Sequence, residues 1–198
     1  MQDISPIIQA LSAGDSVIFP TDTVYGLGCD ADNESAVQNI YDLTNRPEAK
    51  GLVVLCDSLL MIEQYADIRF DLEKRMIQEC MPGPLTLVLD SKHELCSMVE
   101  QWNGTLAVRI PDHDITLDII TKFWKPISTK SANLSGMLPP TSIDEIDEYF
   151  IEKGILIVDG WLSDIQIPST IVRVIDEENF QILRQGSITE EEIRDLVD

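Results

Sequence analysis

Four short segments of this chain hold residues whose types and spacing suit chemistry on a small, charged ligand. The first, Pro20-Thr21-Asp22-Thr23-Val24-Tyr25-Gly26-Leu27-Gly28, follows the apolar run 17–19 and sets hydroxyls, a carboxylate and two glycines at a strand end. Such a segment either holds a polar ligand against approaching backbone or closes a tight turn through Asx and Ser/Thr hydrogen bonds. In Arg46-Pro47-Glu48-Ala49-Lys50-Gly51, two cations stand four residues apart in a loop, suiting either an anion such as a triphosphate or surface ion pairs. Thr105-Leu106-Ala107-Val108-Arg109 alternates, with Thr105, Ala107 and Arg109 on one face and Leu106, Val108 and Ile110 on the other. An arginine inside a core-forming sheet needs a partner, because an unpaired buried charge is costly. A structural carboxylate and a substrate carboxylate are the two candidates. Finally, Ser128-Thr129-Lys130-Ser131-Ala132-Asn133-Leu134-Ser135-Gly136 leaves another strand with six polar side chains in nine residues. That density supplies donors and acceptors for a polar ligand beyond what a Ser-rich turn needs.

Covalent and metal chemistry find less support. No Ser-His-Asp or Cys-His set stands out, and no GxxxxGK[ST] loop is present, so positioning and charge stabilisation are the expected means. The general base is not legible. Cys29, Cys56, Cys80 and Cys96 are scattered without a CxxC pair and read as reduced and mostly buried. His93 and His113 have no metal-ligand spacing, so no protein-held metal is expected.

The elements that must position these segments follow from periodicity. Ile4, Ile7, Ile8 and Leu11 predict a helix stopped by Gly14. Asn33 or Ser35 caps a second helix through Ala36, Val37, Ile40 and Leu43, and helical patterns recur near 58–66, 71–80, 115–124 and 142–150. Capping boxes are expected at Ser142/Glu145 and at Thr189/Glu192, the latter opening a short C-terminal helix within 188–198. Strands are expected at 17–19, 52–55, 85–89, 105–110, 126–131, 155–159, 170–175 and 180–184. This mixing without strict alternation predicts one α/β domain over residues 1–198 with a mixed sheet.

Composition narrows the partners. The 198 residues carry 14 Lys plus Arg against 35 Asp plus Glu, a formal charge of −21, with 44% hydrophobic and 25% charged residues. Those are globular proportions with a strongly acidic surface, which disfavours a surface built to bind nucleic acid. Residues 141–198 alone hold 15 acidic and four basic side chains, read as a solvated acidic face. No run approaches the roughly 18 apolar residues of a membrane helix, and no secretory pattern opens the chain, so a cytoplasmic protein is expected.

Taken in order, PTDTVYGLG, RPEAKGLVVL, MPGPLTLVL, TLAVRIPDH, SANLSG and ILRQG resemble the motifs of the YrdC/Sua5 family, the threonylcarbamoyl-AMP synthases. The resemblance runs over about residues 6–187 and is nearest to the short bacterial TsaC type, which lacks the extra C-terminal domain of Sua5. It implies a twisted mixed sheet with flanking helices and a concave ligand-binding face. It also implies an enzyme that joins L-threonine, bicarbonate and ATP into threonylcarbamoyl-AMP and pyrophosphate, for N6-threonylcarbamoylation of adenosine 37 in tRNAs reading ANN codons. By that resemblance Thr23, Arg109, Thr129 and Ser169 surround threonine, with Arg109 on its carboxylate. Arg46, Lys50, Thr105, Ser131, Asn133, Pro139 and Arg184 line the nucleotide and phosphate region, and Arg46, Lys50 and Arg109 carry the catalytic charge. Magnesium arrives with ATP, no organic cofactor is implied, and the product passes to a tRNA threonylcarbamoyltransferase complex, with weak or indirect contact to tRNA. A non-catalytic RNA- or nucleotide-binding paralogue is the alternative.

One departure stands out. The family pattern reads Lys-x-Arg before its proline, where this chain has Thr44-Asn45-Arg46, and Lys130 occupies a position where the family has a small residue. Strand alternation predicts that Lys130 points away from Thr129 and Ser131.

Overall fold

Each helix forms where an apolar stripe meets a stop signal. The computed structural model describes residues 3–47, 49–100, 104–160 and 163–197. Helix α1 (Ser5–Ala13) buries Ile7 and Leu11 and ends at Gly14, whose φ of 88° suits glycine. Helix α2 (Glu34–Thr44) starts on Asn33, whose side chain accepts from the Ala36 N–H at 3.1 Å, and ends at Asn45 in the left-handed region. Helices α3 (Leu59–Tyr65), α4 (Asp71–Cys80) and α5 (Asp114–Phe123) match the periodic segments closely. The 142–150 pattern breaks into a 3-10 turn (Ile143–Glu145) and a short α6 (Glu148–Glu152). No Ser142/Glu145 box forms there: the Glu145 carboxylate takes the Thr141 N–H at 2.7 Å, while Asp147 caps α6 through the Tyr149 N–H. The predicted box at Thr189 and Glu192 does form, with reciprocal bonds of 2.7 and 3.2 Å at the start of α7 (Glu190–Val197).

The strands are β1 (Val17–Phe19), β2 (Gly26–Asp30), β3 (Val53–Leu55), β4 (Ala66–Asp67), β5 (Leu85–Ser91), β6 (Thr105–Arg109), β7 (Ile127–Ser131), β8 (Leu156–Ile157), β9 (Thr170–Val174) and β10 (Phe180–Arg184). They form one sheet in the order β10-β9-β5-β6-β3-β7-β2-β1-β8, with β4 added to β5. The pairs β3/β6, β5/β9 and β1/β8 are parallel and the rest antiparallel, so the sheet is mixed as expected.

The two faces of this sheet are covered unequally. One carries the main core, in which Leu27, Val54, Leu87, Val108 and Val172 pack on α2, α4 and α7 through Ile40, Met76 and Ile193. The other is covered only at the β1 end, where Val17, Phe19 and Ile127 meet Leu11 of α1 and Ile119 and Ile120 of α5. Beyond that patch, residues of β3, β6 and β7 on the second face border a cavity.

Candidate active site

Of the two partners considered for Arg109, the structure supplies the structural carboxylate. The residue is 5% exposed at the end of β6, and its guanidinium is held on three sides. Nε donates to the Gly83 carbonyl at 2.9 Å, Nη1 donates to Thr23 Oγ1 at 2.8 Å, and Nη2 pairs with Asp22. The structural carboxylate is therefore Asp22, from the first motif. A guanidinium has five N–H groups, so among the described residues one on each terminal nitrogen stays uncommitted. Burial lowers the proton affinity of Arg109 and the Asp22 charge opposes that shift.

The PTDTVYGLG segment closes a tight turn, the second of its two alternatives, at the edge of a cavity. Thr21 Oγ1 accepts from the Thr23 and Val24 N–H groups at 3.2 Å and donates to the Val24 carbonyl at 2.7 Å, closing the turn. That turn presents Thr21, Thr23 and Val24 to the cavity. Its glycines act differently from expectation. Gly26 and Gly28 lie inside β2 opposite Ser131 and Thr129, and a Cβ on Gly26 would stand 2.8 Å from Thr129 Oγ1. Their missing side chains make room for sheet neighbours.

The remaining wall comes from three other segments. Thr129 Oγ1 donates to the Leu27 carbonyl at 2.9 Å, which fixes its hydroxyl at the cavity edge. Ser169 shares a 2.7 Å hydrogen bond with Thr86 and receives Arg184 Nη2 at 3.3 Å, while the same nitrogen donates to the Ser169 carbonyl at 2.7 Å. Arg46 leaves the end of α2 and donates to the carbonyls of Lys50 and Gly51 at 2.8 and 2.6 Å. Burial lowers the proton affinity of Arg46 and Arg184, and Arg184 is lowered further by Arg109 and Arg46.

The cavity thus gathers Thr23, Arg109, Thr129 and Ser169 with Arg46, Ser131 and Arg184. Lys50, Thr105, Asn133 and Pro139 are not in its wall. Lys50 is exposed in the turn after α2, and Thr105 is buried at the far end of β6 beside Asp90. Asn133 shapes the loop after β7 by donating to the carbonyls of Leu134 and Met137, and its Oδ1 is buried without a partner among the described residues. Pro139 lies on the same loop, one residue before the carbonyl that accepts the Tyr25 N–H.

Lys130 is where alternation misleads. It faces the cavity with Thr129 and Ser131, is 8% exposed, and donates to the carbonyls of Ser131 and Asn133 at 2.7 and 2.5 Å. Its register partner Leu27 belongs to the main core, so the lysine leaves β7 on that face and its long stem rounds the strand end. Asp22 was legible only as a carboxylate in a motif, and Pro168, beside Ser169, gave no chemical signal at all.

Among the described residues, no group of three or more His, Cys, Asp or Glu side chains is placed to hold a metal ion, and no helix is long and apolar enough to cross a membrane.

The Sua5/YciO/YrdC family model, described as telomere recombination, matches residues 9–186. The threonylcarbamoyl-AMP synthase of Aliivibrio fischeri is 32% identical over 188 residues, covering 94% of this chain and all of that one. The structure of P. abyssi Sua5 complexed with L-threonine superposes with a TM-score of 0.92 at 34% identity, covering 98% of this chain. The present chain spans only 57% of that protein. E. coli YciO, at 22% identity and a TM-score of 0.83, shares the fold.

Proposed function

The chain belongs to the Sua5/YciO/YrdC family, and on that premise we propose that its cavity converts L-threonine, bicarbonate and ATP into threonylcarbamoyl-AMP and pyrophosphate. The observation that carries this reading is the convergence of Thr23, Arg109, Thr129 and Ser169 with three further basic side chains in one cavity of a chain whose net charge is −21.

Threonine sits at the Arg109 end. The uncommitted N–H groups of Arg109 receive its carboxylate as a fork, while Thr23 and Asp22 fix the plane of the guanidinium. The hydroxyls of Thr129 and Ser169, already oriented by Leu27 and Thr86, face the rest of the amino acid. ATP lies with its phosphates toward Arg46, Ser131 and Arg184, while Asn133 acts through the loop it shapes. Lys50 and Thr105 lie outside the cavity wall, and Pro139 contributes only through its loop.

The threonine amine captures bicarbonate, with loss of water, to give an N-carboxy group. One oxygen of that group attacks the α-phosphorus, the bond to the bridging oxygen breaks, and pyrophosphate leaves. Charge on the non-bridging and leaving oxygens is met by the guanidinium groups, which are preorganised by main-chain carbonyls. Magnesium enters as part of the ATP substrate. The product supplies the group placed on N6 of adenosine 37 in ANN-reading tRNAs by a separate transferase complex, in the cytoplasm.

Incubation with threonine, bicarbonate and ATP is expected to release pyrophosphate only when threonine is present, with threonylcarbamoyl-AMP visible by mass spectrometry. Absence of threonine-dependent release overturns the reading in favour of a binding-only paralogue.

A further inference from the structure

The basic residues of this protein divide by what neutralises them. Arg69, Lys92, Lys122, Lys125, Arg194 and Arg109 each lie within ion-pair distance of a carboxylate. Among the described residues Arg46 and Lys130 have no such carboxylate, although neither is freely exposed, and their bonds go only to main-chain carbonyls. Carbonyls satisfy donors but bring no charge, and a buried cation without a counter-ion is costly. Both line the same cavity wall. Two of the three N–H groups of the Lys130 ammonium are committed, which leaves one free.

We propose that Lys130 is a phosphate-binding residue of the cavity, acting with Arg46 on the polyphosphate chain of a nucleoside triphosphate or the pyrophosphate cleaved from it. The assignment rests on the adenylate-forming reading for its substrate, but the missing counter-charge is independent of it. Arg46 is the charged group acting on Lys130. From β2 it faces Leu27, and from the following loop main-chain carbonyls. Burial, and then Arg46, push the amine down to about 7, and a bound polyanion reverses that shift. Binding near neutral pH therefore takes up a proton at Lys130.

Calorimetry with inorganic tripolyphosphate, in two buffers of different ionisation enthalpy, tests this on wild type, Lys130→Met and Lys130→Arg. Methionine is expected to weaken tripolyphosphate binding and raise the KM for ATP about tenfold or more, with threonine KM within about twofold of wild type. Arginine restores most of the affinity. Proton uptake is seen in wild type and lost in Lys130→Met, which a purely structural lysine would not produce. Equal affinity in wild type and Lys130→Met, or no tripolyphosphate binding by wild type, overturns the proposal. Should Lys130→Met fail to fold, wild-type proton uptake and Lys130→Arg binding decide, and their absence overturns it. Loss of tripolyphosphate binding in Lys130→Met, in a protein that makes no threonylcarbamoyl-AMP, keeps the lysine assignment and removes the adenylate reading.

Discussion

Arg109 and Asp22 form a buried ion pair in which the second carboxylate oxygen, Oδ2, has no hydrogen-bond partner among the described residues. Asp22 Oδ1 also accepts the Asp112 N–H at 3.2 Å, so one oxygen carries both bonds. The pair gives the sheet a neutralised arginine that still has N–H groups to offer. Removing either member leaves the other charge stranded, so Asp22→Ala is expected to cost about 3–5 kcal/mol in urea unfolding. Arg109→Ala is expected to abolish threonine-dependent pyrophosphate release. Arg109→Lys keeps the charge but not the fork, and its threonine KM should rise roughly 10- to 100-fold. Wild-type threonine kinetics in either arginine variant would sink the carboxylate role.

Gly26 tests whether the glycines of the first motif serve packing. A Cβ there would lie 2.8 Å from Thr129 Oγ1 and 3.3 Å from the Phe19 ring. Phe19 is fully buried and has little room to move, so the threonine hydroxyl has to shift. Gly26→Ala is expected to cost about 1–3 kcal/mol by overpacking and to raise the threonine KM. An alanine variant with normal stability and normal KM would show that the strand has slack at this point.

The sequence was most legible where one residue determines one outcome. Asn33 and Thr189 cap the helices they were expected to cap, and the alternation of 105–109 places Arg109 on the cavity face. It was least legible where outcomes depend on distant chain. Gly26 to Asp30 reads as a loop because its glycines lack strand propensity, yet pairing with β1 and β7 makes it a central strand. Lys130 obeys alternation at its backbone and defeats it at its tip, since a long side chain reaches past the end of a strand. Ser169 carries no local signal and reaches the site because β9 lies parallel to β5, beside Thr86.

The crossing of the ILRQG segment over the loop before β9 gives a third prediction. A Cβ on Gly186 would clash with the Pro168 carbonyl oxygen and the Ser169 carbonyl carbon, both backbone. The Gly186 N–H also donates to Thr170 Oγ1 at 3.0 Å, which ties the two segments together. Gly186→Ala therefore pushes Ser169 and Arg184 out of position together, and pyrophosphate release should fall by more than the lost folded fraction explains. Thr189→Ala, three residues on, removes only a helix cap, at about 1 kcal/mol, and turnover per folded molecule should hold. If the two variants lose activity in the same proportion to stability, Gly186 has no positioning role.

Lys130 also makes folding stability depend on pH in a defined direction. Burial first, and Arg46 second, hold its amine at about 7 in the folded chain, against an ordinary 10.5. Between those values the unfolded chain binds a proton that the folded chain does not, so stability contributed by this group rises with pH across that window. Below about 7 both states are protonated and the full cost of the buried cation is present; above 10.5 it has gone. The Lys130→Met variant lacks this dependence while sharing every other titrating group. The difference in urea unfolding free energy, wild type minus variant, is therefore expected to climb steadily from pH 7 to pH 10. Saturating tripolyphosphate should flatten that climb, because the anion keeps Lys130 protonated in the folded chain over more of the range. Parallel curves for the two proteins without ligand would show that the ammonium is solvated, and that its proton affinity is not set by the cavity.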